Sequence, residues 1–150
     1  MITEFDGKYA FLSNFFHSPF TFEGITYPTN EHFFQAMKTL DQEERKKIAE
    51  APTPGKAKRI GRQVQLREDW EEVKMDVMRL GVALKFSEHP DLAKKLIETE
   101  DAFLIEGNSW HDNTWGSCFC PKCAPTAGRN LLGQILMECR STLITRGVER

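Results

Sequence analysis

Residues 20–38 read Phe20-Thr21-Phe22-Glu23-Gly24-Ile25-Thr26-Tyr27-Pro28-Thr29-Asn30-Glu31-His32-Phe33-Phe34-Gln35-Ala36-Met37-Lys38, and the apolar period changes partway along. From Phe20 to Tyr27 apolar and polar residues alternate around Glu23-Gly24, the pattern of a short hairpin. Pro28 stops the second strand, and Thr29 offers an N-cap oxygen to a helix expected to reach about Leu40. On that helix Phe33, Ala36, Met37 and Leu40 share one face, expected to point to the core. Glu31, Gln35 and Lys38 fall at i, i+4 and i+7 on the opposite face. Spacing alone favours a solvated surface with side chains close enough to interact. The other reading is a cleft wall, with Glu31 in the first turn, where the helix dipole suits a carboxylate facing a cationic transition state.

Outward from this stretch, helical segments predominate. A short acidic-to-basic helix spans about 42–50. Ala51-Pro52-Thr53-Pro54-Gly55 breaks it and starts another at about 54–63, with Thr53 as cap and Pro54 in the first position. The longest periodic run, 68–86, carries an apolar stripe of Val73, Val77, Leu80 and Leu84. His89-Pro90 leads into a helix ending near Glu98. Residues 102–106 read as a brief buried strand and 107–127 as a long loop, and such loops in compact domains are usually functional or disordered. A final helix over about 129–145 places Leu132, Ile135, Leu136, Cys139 and Leu143 on one face. The predicted fold class is mainly α with a small β hairpin or sheet element, as a single compact domain over 1–150.

The chain of 150 residues is long enough for one domain with its own core. Eleven Phe, three Trp and two Tyr supply rings for that core or for stacking on a planar ligand. A net charge of −2 gives no whole-molecule attraction to nucleic acid, so phosphate contacts must be local. No apolar run approaches the roughly 20 residues of a membrane span, and the N-terminal residues lack a secretory pattern. No membrane partner and a cytoplasmic location are therefore expected, where four cysteines read as thiols or metal ligands rather than disulfides.

Three further clusters carry candidate chemistry. Residues 51–67 hold Lys56, Lys58, Arg59, Arg62 and Arg67 without an acidic residue. Ala57, Ile60, Gly61 and Val64 form the inward face of that segment. Lys58, Arg59 and Arg62 point outward, either as a solvated face or as a phosphate site suited to planar guanidinium groups. Gly61 favours close approach of a ligand or another helix. The loop Glu106–Gly116 sets Asp112 between Trp110 and Trp115, a pattern of either a self-plugged loop or a ring-binding pocket with a general acid or base. Cys118-x-Cys120-x-x-Cys123 is part of a structural zinc site or a set of unligated thiols. Its spacing selects no fourth ligand between His111 and His17. A phosphate-binding P-loop, a dinucleotide-binding glycine fingerprint and a nucleophile elbow are all missing, which excludes a nucleotide kinase, a Rossmann dehydrogenase and an α/β-hydrolase.

Read together, these segments resemble the YbiA-like family, also called NADAR for its link to NAD and ADP-ribose. The likeness rests on Phe11-Leu12-Ser13-Asn14-Phe15, Tyr27 through Lys38, Gly61-Arg62, Trp70, Lys85-Phe86, Asp112 with Trp115-Gly116, and Gly128 through Gly133 before Leu136-Met137. It covers nearly the whole chain in order. The loop after Gly116 departs from the best-known bacterial members, carrying the cysteines and Pro125-Thr126-Ala127 where they have a glycine- and lysine-rich stretch.

The resemblance implies a mostly helical N-glycosidase that requires no redox cofactor, with zinc only a structural option at Cys118, Cys120 and Cys123. It implies two substrate groups: phosphoribosylamino-pyrimidine intermediates of riboflavin synthesis, and ADP-ribose attached to guanine, including modified nucleic acid. It implies Glu31 and Asp112 as the carboxylates, with Lys38 as an ion-pair partner, phosphate ligand or nucleophile. Gln35 and Asn130 would orient hydroxyls or water. Arg62 with Lys58 or Arg59 would hold phosphate, and Trp115 or Phe15 would stack on the base. Ser13, Asn14, Lys85 and Gly116 complete the expected substrate contacts. A non-catalytic ADP-ribose or NAD sensor using the same pocket is the rival reading. A zinc-knuckle nucleic-acid module ranks behind both, because the chain is mildly acidic.

Overall fold

The computed structural model describes residues 1–147, in two compact units: residues 14–89, and Met1–Ser13 with the chain from Pro90 onward. In residues 14–89, β1 (Phe20–Phe22) and β2 (Ile25–Tyr27) pair antiparallel with Phe20 opposite Tyr27. Glu23 and Gly24 both take left-handed φ, +49° and +82°, as a two-residue turn matched to strand twist requires. The hairpin sets Phe20, Phe22 and Tyr27 around Phe33, with ring centroids 5.2, 5.4 and 5.5 Å away and edges turned to faces.

Phe33 belongs to α1 (Asn30–Ala36), capped as expected by Thr29, whose hydroxyl accepts the His32 N–H at 3.2 Å. The helix stops at Ala36, short of the expected Leu40, and Leu40 is 64% exposed rather than in the core. Tertiary donors take over its carbonyl end. Arg67 donates its backbone N–H to the Lys38 carbonyl (2.8 Å) and its guanidinium to that of Met37 (3.4 Å). Arg45 Nε reaches Thr39 O at 2.8 Å. Once these carbonyls are satisfied from outside, another turn of helix gains nothing.

All seven residues of α1 are buried, so the solvated face expected for Glu31 and Gln35 does not exist. Three helices surround α1: α2 (Gln42–Ala49), α3 (Pro54–Gly61) and α4 (Trp70–Glu88). Asp41 caps α2 through the Glu43 and Glu44 N–H groups, and Thr53 caps α3. Close approach depends on two glycines. A Cβ on Gly61 would overlap Gln35 Oε1, and one on Gly81 would overlap Asn30 Oδ1. Neither oxygen has a conventional hydrogen-bond donor, and a glycine Cα–H points at each. Gly61 therefore serves approach of another helix.

The inward face of α4 is Trp70, Met78, Gly81, Val82, Lys85 and Phe86, not the expected Val73/Val77/Leu80/Leu84 stripe. Leu80 is 39% exposed and the other three are half-buried. The helix is rotated because Gly81 and Lys85, which hydrophobic periodicity does not count, are the residues that face inward.

In the other unit a 3₁₀ turn, Gly7–Leu12, precedes α5 (Pro90–Glu98) and α6 (Leu131–Thr145). The expected strand 102–106 reduces to Leu104, bridged in parallel to Ile2, with Phe103 53% exposed. The expected loop 107–127 contains the parallel pair β3 (Gly107–Asn108) and β4 (Ser117–Cys118). On α6 the expected face is buried at Leu132, Ile135 and Leu136 and half-buried at Cys139 and Leu143. Arg140, also buried, donates to Thr99 Oγ1 at 2.8 Å. No helix of the described residues is long and apolar enough to cross a membrane.

The α1 packing gives two expectations. Gly81→Ala gains helix propensity worth up to about 1 kcal/mol. The added Cβ would also meet Phe33, and Asn30 is tied to Asn14, so the net effect should be destabilising by roughly 1–2 kcal/mol in denaturant unfolding. Gly55→Ala, in α3 with room for a Cβ, should be neutral or stabilising by up to about 1 kcal/mol. Equal effects of the two would refute the close approach.

His32 is buried and its pKa lies below the ordinary value because burial penalises the imidazolium. Nε2 lies 2.9 Å from the Ala51 carbonyl, a pure acceptor, so in the neutral ring Nε2 carries the proton and Nδ1 accepts from the Thr29 hydroxyl (2.8 Å). As pH falls below about 6.5 the unfolded chain binds a proton before the folded one, and stability declines. His32→Gln should flatten that part of the pH–stability profile. An unchanged slope below neutrality would count against a neutral buried ring.

Candidate active site

The start of α1 is fastened to the turn before it. The Glu31 N–H donates to the Asn14 carbonyl at 3.0 Å, and Asn30 Nδ2 donates to Asn14 Oδ1 at 2.8 Å. Both amides also lie against the Met78 sulfur, at 3.5 and 3.6 Å. Asn14 therefore fixes the turn that presents the next residue, Phe15, whose ring is half exposed.

One helical turn on, Gln35 Nε2 donates to Glu31 Oε1 at 2.8 Å, with both side chains buried. The i, i+4 pairing expected from spacing is thus present, inside the protein rather than on its surface. Lys38 is half-buried, and burial lowers its ammonium pKa; Glu31 pulls it back up, and Arg62 and Lys58 push it down. Glu31, Lys38, Lys58 and Arg62 consequently share one electrostatic neighbourhood, three cations with one carboxylate. Arg62 is exposed and Lys58 half-buried, which leaves their charged ends accessible to an anion. Arg59, on the same helix, is exposed and is not among the charges that act on Lys38.

Lys85 is buried on α4, its ammonium 5.4 Å from the Phe86 ring centroid and 5.9 Å from that of Phe16. Burial pulls its pKa down to about 7. An open groove in this unit, about 680 Å³ and bordered by Leu40, Leu66 and Arg67, includes none of these four charged residues in its lining.

The remaining candidates belong to the other unit. Ser13 closes the 3₁₀ turn, its N–H donating to the Ala10 carbonyl at 3.0 Å. Asp112 Oδ1 accepts the N–H groups of Thr114 (3.1 Å) and Trp115 (3.0 Å), which shapes the loop between the tryptophans. Asn108 braces the same loop, donating to the Asp112 carbonyl and accepting its N–H. Asn130 uses its amide on backbone: Oδ1 accepts from Glu106 N–H and Nδ2 donates to Leu104 O. With φ of +52° it is the left-handed N-cap of α6, which starts at Leu131, two residues later than expected. At Gly116 an added Cβ would overlap the Glu106 carbonyl, so the backbone packs closely there.

His111, which spacing could not separate from His17, joins the three cysteines. The ligand atoms of His111, Cys118, Cys120 and Cys123 all lie within 4.8 Å of one another, so the group could hold a metal. A hydrogen bond from the Cys123 backbone N–H pulls the Cys120 thiol down to about 7. Cys139 stands apart: burial pushes its thiol up to about 11, as for a core residue. Asn30, to which the sequence analysis assigned no role, is a buried bridge to Asn14 and Met78.

Comparison with known proteins gives the family. The Escherichia coli protein named N-glycosidase YbiA is 40% identical over 137 residues, covering 90% of this chain and 82% of that protein. An N-glycosidase of Nostoc punctiforme is 36% identical over 90% of this chain and 86% of its own length. A Vibrio vulnificus riboflavin biosynthesis protein is 36% identical over 92% of this chain but only 36% of its own length. The solution structure of E. coli YbiA superimposes with a TM-score of 0.82 at 36% identity, covering 99% of this chain and 86% of that one. Residues 3–144 match the NADAR domain family, and the chain belongs to it.

Proposed function

We propose that this protein is an N-glycosidase that hydrolyses the bond between ribose C1 and the nitrogen of a heterocycle, on a substrate phosphorylated at the ribose 5′ position. The observation that carries the reading is the buried Glu31, oriented by Gln35 and set among Lys38, Lys58 and Arg62. Relatives named as N-glycosidases support the reaction class. A relative named for riboflavin biosynthesis supports a phosphoribosylamino-pyrimidine as one substrate group. ADP-ribosyl-guanine, free or in nucleic acid, is the other, since it presents the same ribose, phosphate and planar base.

The chemistry follows from charge. As the C1–N bond breaks, positive charge develops on C1 and the ring oxygen. A carboxylate held in place before the reaction stabilises that cation without reorganising. Water adds its oxygen to C1 as the C1–N bond breaks, Glu31 takes up the proton that water gives away, and that proton passes through solvent to the departing nitrogen, which restores the carboxylate. Gln35 fixes one oxygen of Glu31, leaving the carboxylate a single orientation. Arg62 and Lys58 bind the 5′ phosphate, and Phe15 offers a face to the base. Lys38, whose lowered pKa raises the share of free amine, is the residue for a covalent route through C1.

The test is to offer a phosphoribosylaminouracil and an ADP-ribosylated guanine oligonucleotide and to follow release of the free base. Glu31→Gln keeps the shape and removes the charge that matters in the transition state. It should lower kcat by about two to four orders of magnitude, roughly 3–5 kcal/mol, with KM and Tm little changed. Near-normal turnover in that variant would sink the assignment. Binding without turnover of either substrate by the parent protein would instead identify a sensor.

Arg62→Ala should act the other way, raising KM more than it lowers kcat, because the phosphate is gripped in ground and transition states alike. Arg62→Lys should restore affinity only in part, since the planar fork is lost. An unaltered KM in folded Arg62→Ala protein would remove this residue from the site.

A further inference from the structure

The spacing Cys118-x-Cys120-x-x-Cys123 supplies three sulfurs and leaves the fourth position of a tetrahedral centre open. The fold fills it. His111 Nδ1 lies 3.3 Å from Cys123 Sγ, 3.5 Å from Cys120 Sγ and 3.7 Å from Cys118 Sγ. A single ring nitrogen carries one proton or one lone pair, so it cannot make three separate hydrogen bonds to three sulfurs. Tetrahedral zinc, with Zn–S about 2.3 Å and Zn–N about 2.0–2.1 Å, puts nitrogen and sulfur ligands about 3.6 Å apart. The three separations bracket that value.

The local backbone holds the ligands in this arrangement. Cys123 N–H and Ala124 N–H both donate to the Cys120 carbonyl, at 3.1 and 2.8 Å, turning the chain so that the last two thiols converge. Cys118 is buried on β4, with its N–H donated to Asn113 Oδ1 at 2.8 Å. His111 reaches the cluster from a left-handed conformation, φ +69°, which few non-glycine residues adopt. All four cysteines of the chain are free thiols, and Cys139 lies outside the cluster.

We propose that His111, Cys118, Cys120 and Cys123 bind one zinc ion as a closed structural site that fastens the 108–118 loop to the cysteine turn. Four protein ligands leave no open position, so this metal supplies no bound water and takes no part in bond cleavage. Its effect is on the loop. His111 directly precedes Asp112, whose carboxylate organises Thr114 and Trp115, so the metal fixes one end of that turn. The site stands whether or not the hydrolase reading holds, because none of its ligands belongs to the Glu31 cluster.

The experiment is metal analysis of the full chain purified without chelator and without a histidine tag. One zinc per chain is expected, and cobalt(II) exchanged into the site should show the strong visible bands of a tetrahedral thiolate complex. His111→Ala should weaken zinc binding by about tenfold or more, as measured by competition with a chromogenic chelator. His111→Cys, which restores a fourth soft ligand, should keep the metal even if the alanine variant folds poorly. Cys139→Ser should retain one equivalent. Removing zinc should lower Tm and alter tryptophan fluorescence from Trp110 and Trp115. Protein with no bound zinc and all its thiols reactive in the native state would overturn the proposal. So would a disulfide within the cluster, or His111→Ala protein that binds zinc as tightly as the parent.

Discussion

Every side chain of α1 is buried, including those that are polar, and the organisation of residues 14–89 follows from that constraint. A buried amide or carboxylate without a partner costs more free energy than a hydrogen bond returns, so each must be matched. Glu31 is matched by Gln35, Asn30 by Asn14, and His32 by Thr29 and Ala51. The two oxygens left over lie against Gly61 and Gly81, where neighbouring backbone comes close enough to cover them. The glycines, the hairpin that seats Phe33 and the early end of α1 are parts of one solution.

That solution also prepares the proposed chemistry. A surface glutamate samples several rotamers and is screened by water. Glu31 is confined by a hydrogen bond and by burial, and interacts with Lys38 in a medium that weakens charge less than water does. Arg62 and Lys58 keep exposed or half-exposed ends where a phosphate can reach them. Confinement of the carboxylate and access to the cations arise from one arrangement of α1 and α3.

The other unit uses different means. Its loops pack little apolar surface of their own, and their shape comes from side chains bonded to backbone: Asp112 to Thr114 and Trp115, Asn113 to Cys118, Asn130 to Leu104 and Glu106. Phe103, Trp110 and Phe119 remain exposed, so packing alone would hold this region weakly. The metal proposed between His111 and the cysteine turn would supply the missing constraint, as cross-links do in small loop-rich structures.

The sequence by itself determined the hairpin, the caps at Thr29 and Thr53, most helices and the set of charged residues on α1 and α3. These depend on neighbours within a few positions: Glu23-Gly24 can take left-handed φ, and a threonine hydroxyl reaches an N–H three residues on. Only the tertiary structure decided which faces are inside. Hydrophobic periodicity marked Val73, Val77, Leu80 and Leu84 and passed over Gly81 and Lys85, because it counts apolar side chains and not the room a neighbour needs. For the same reason the Glu31 face read as solvent, and His111 could not be told from His17. Each of these depends on atoms far away in sequence, and only folding brings them within bonding distance.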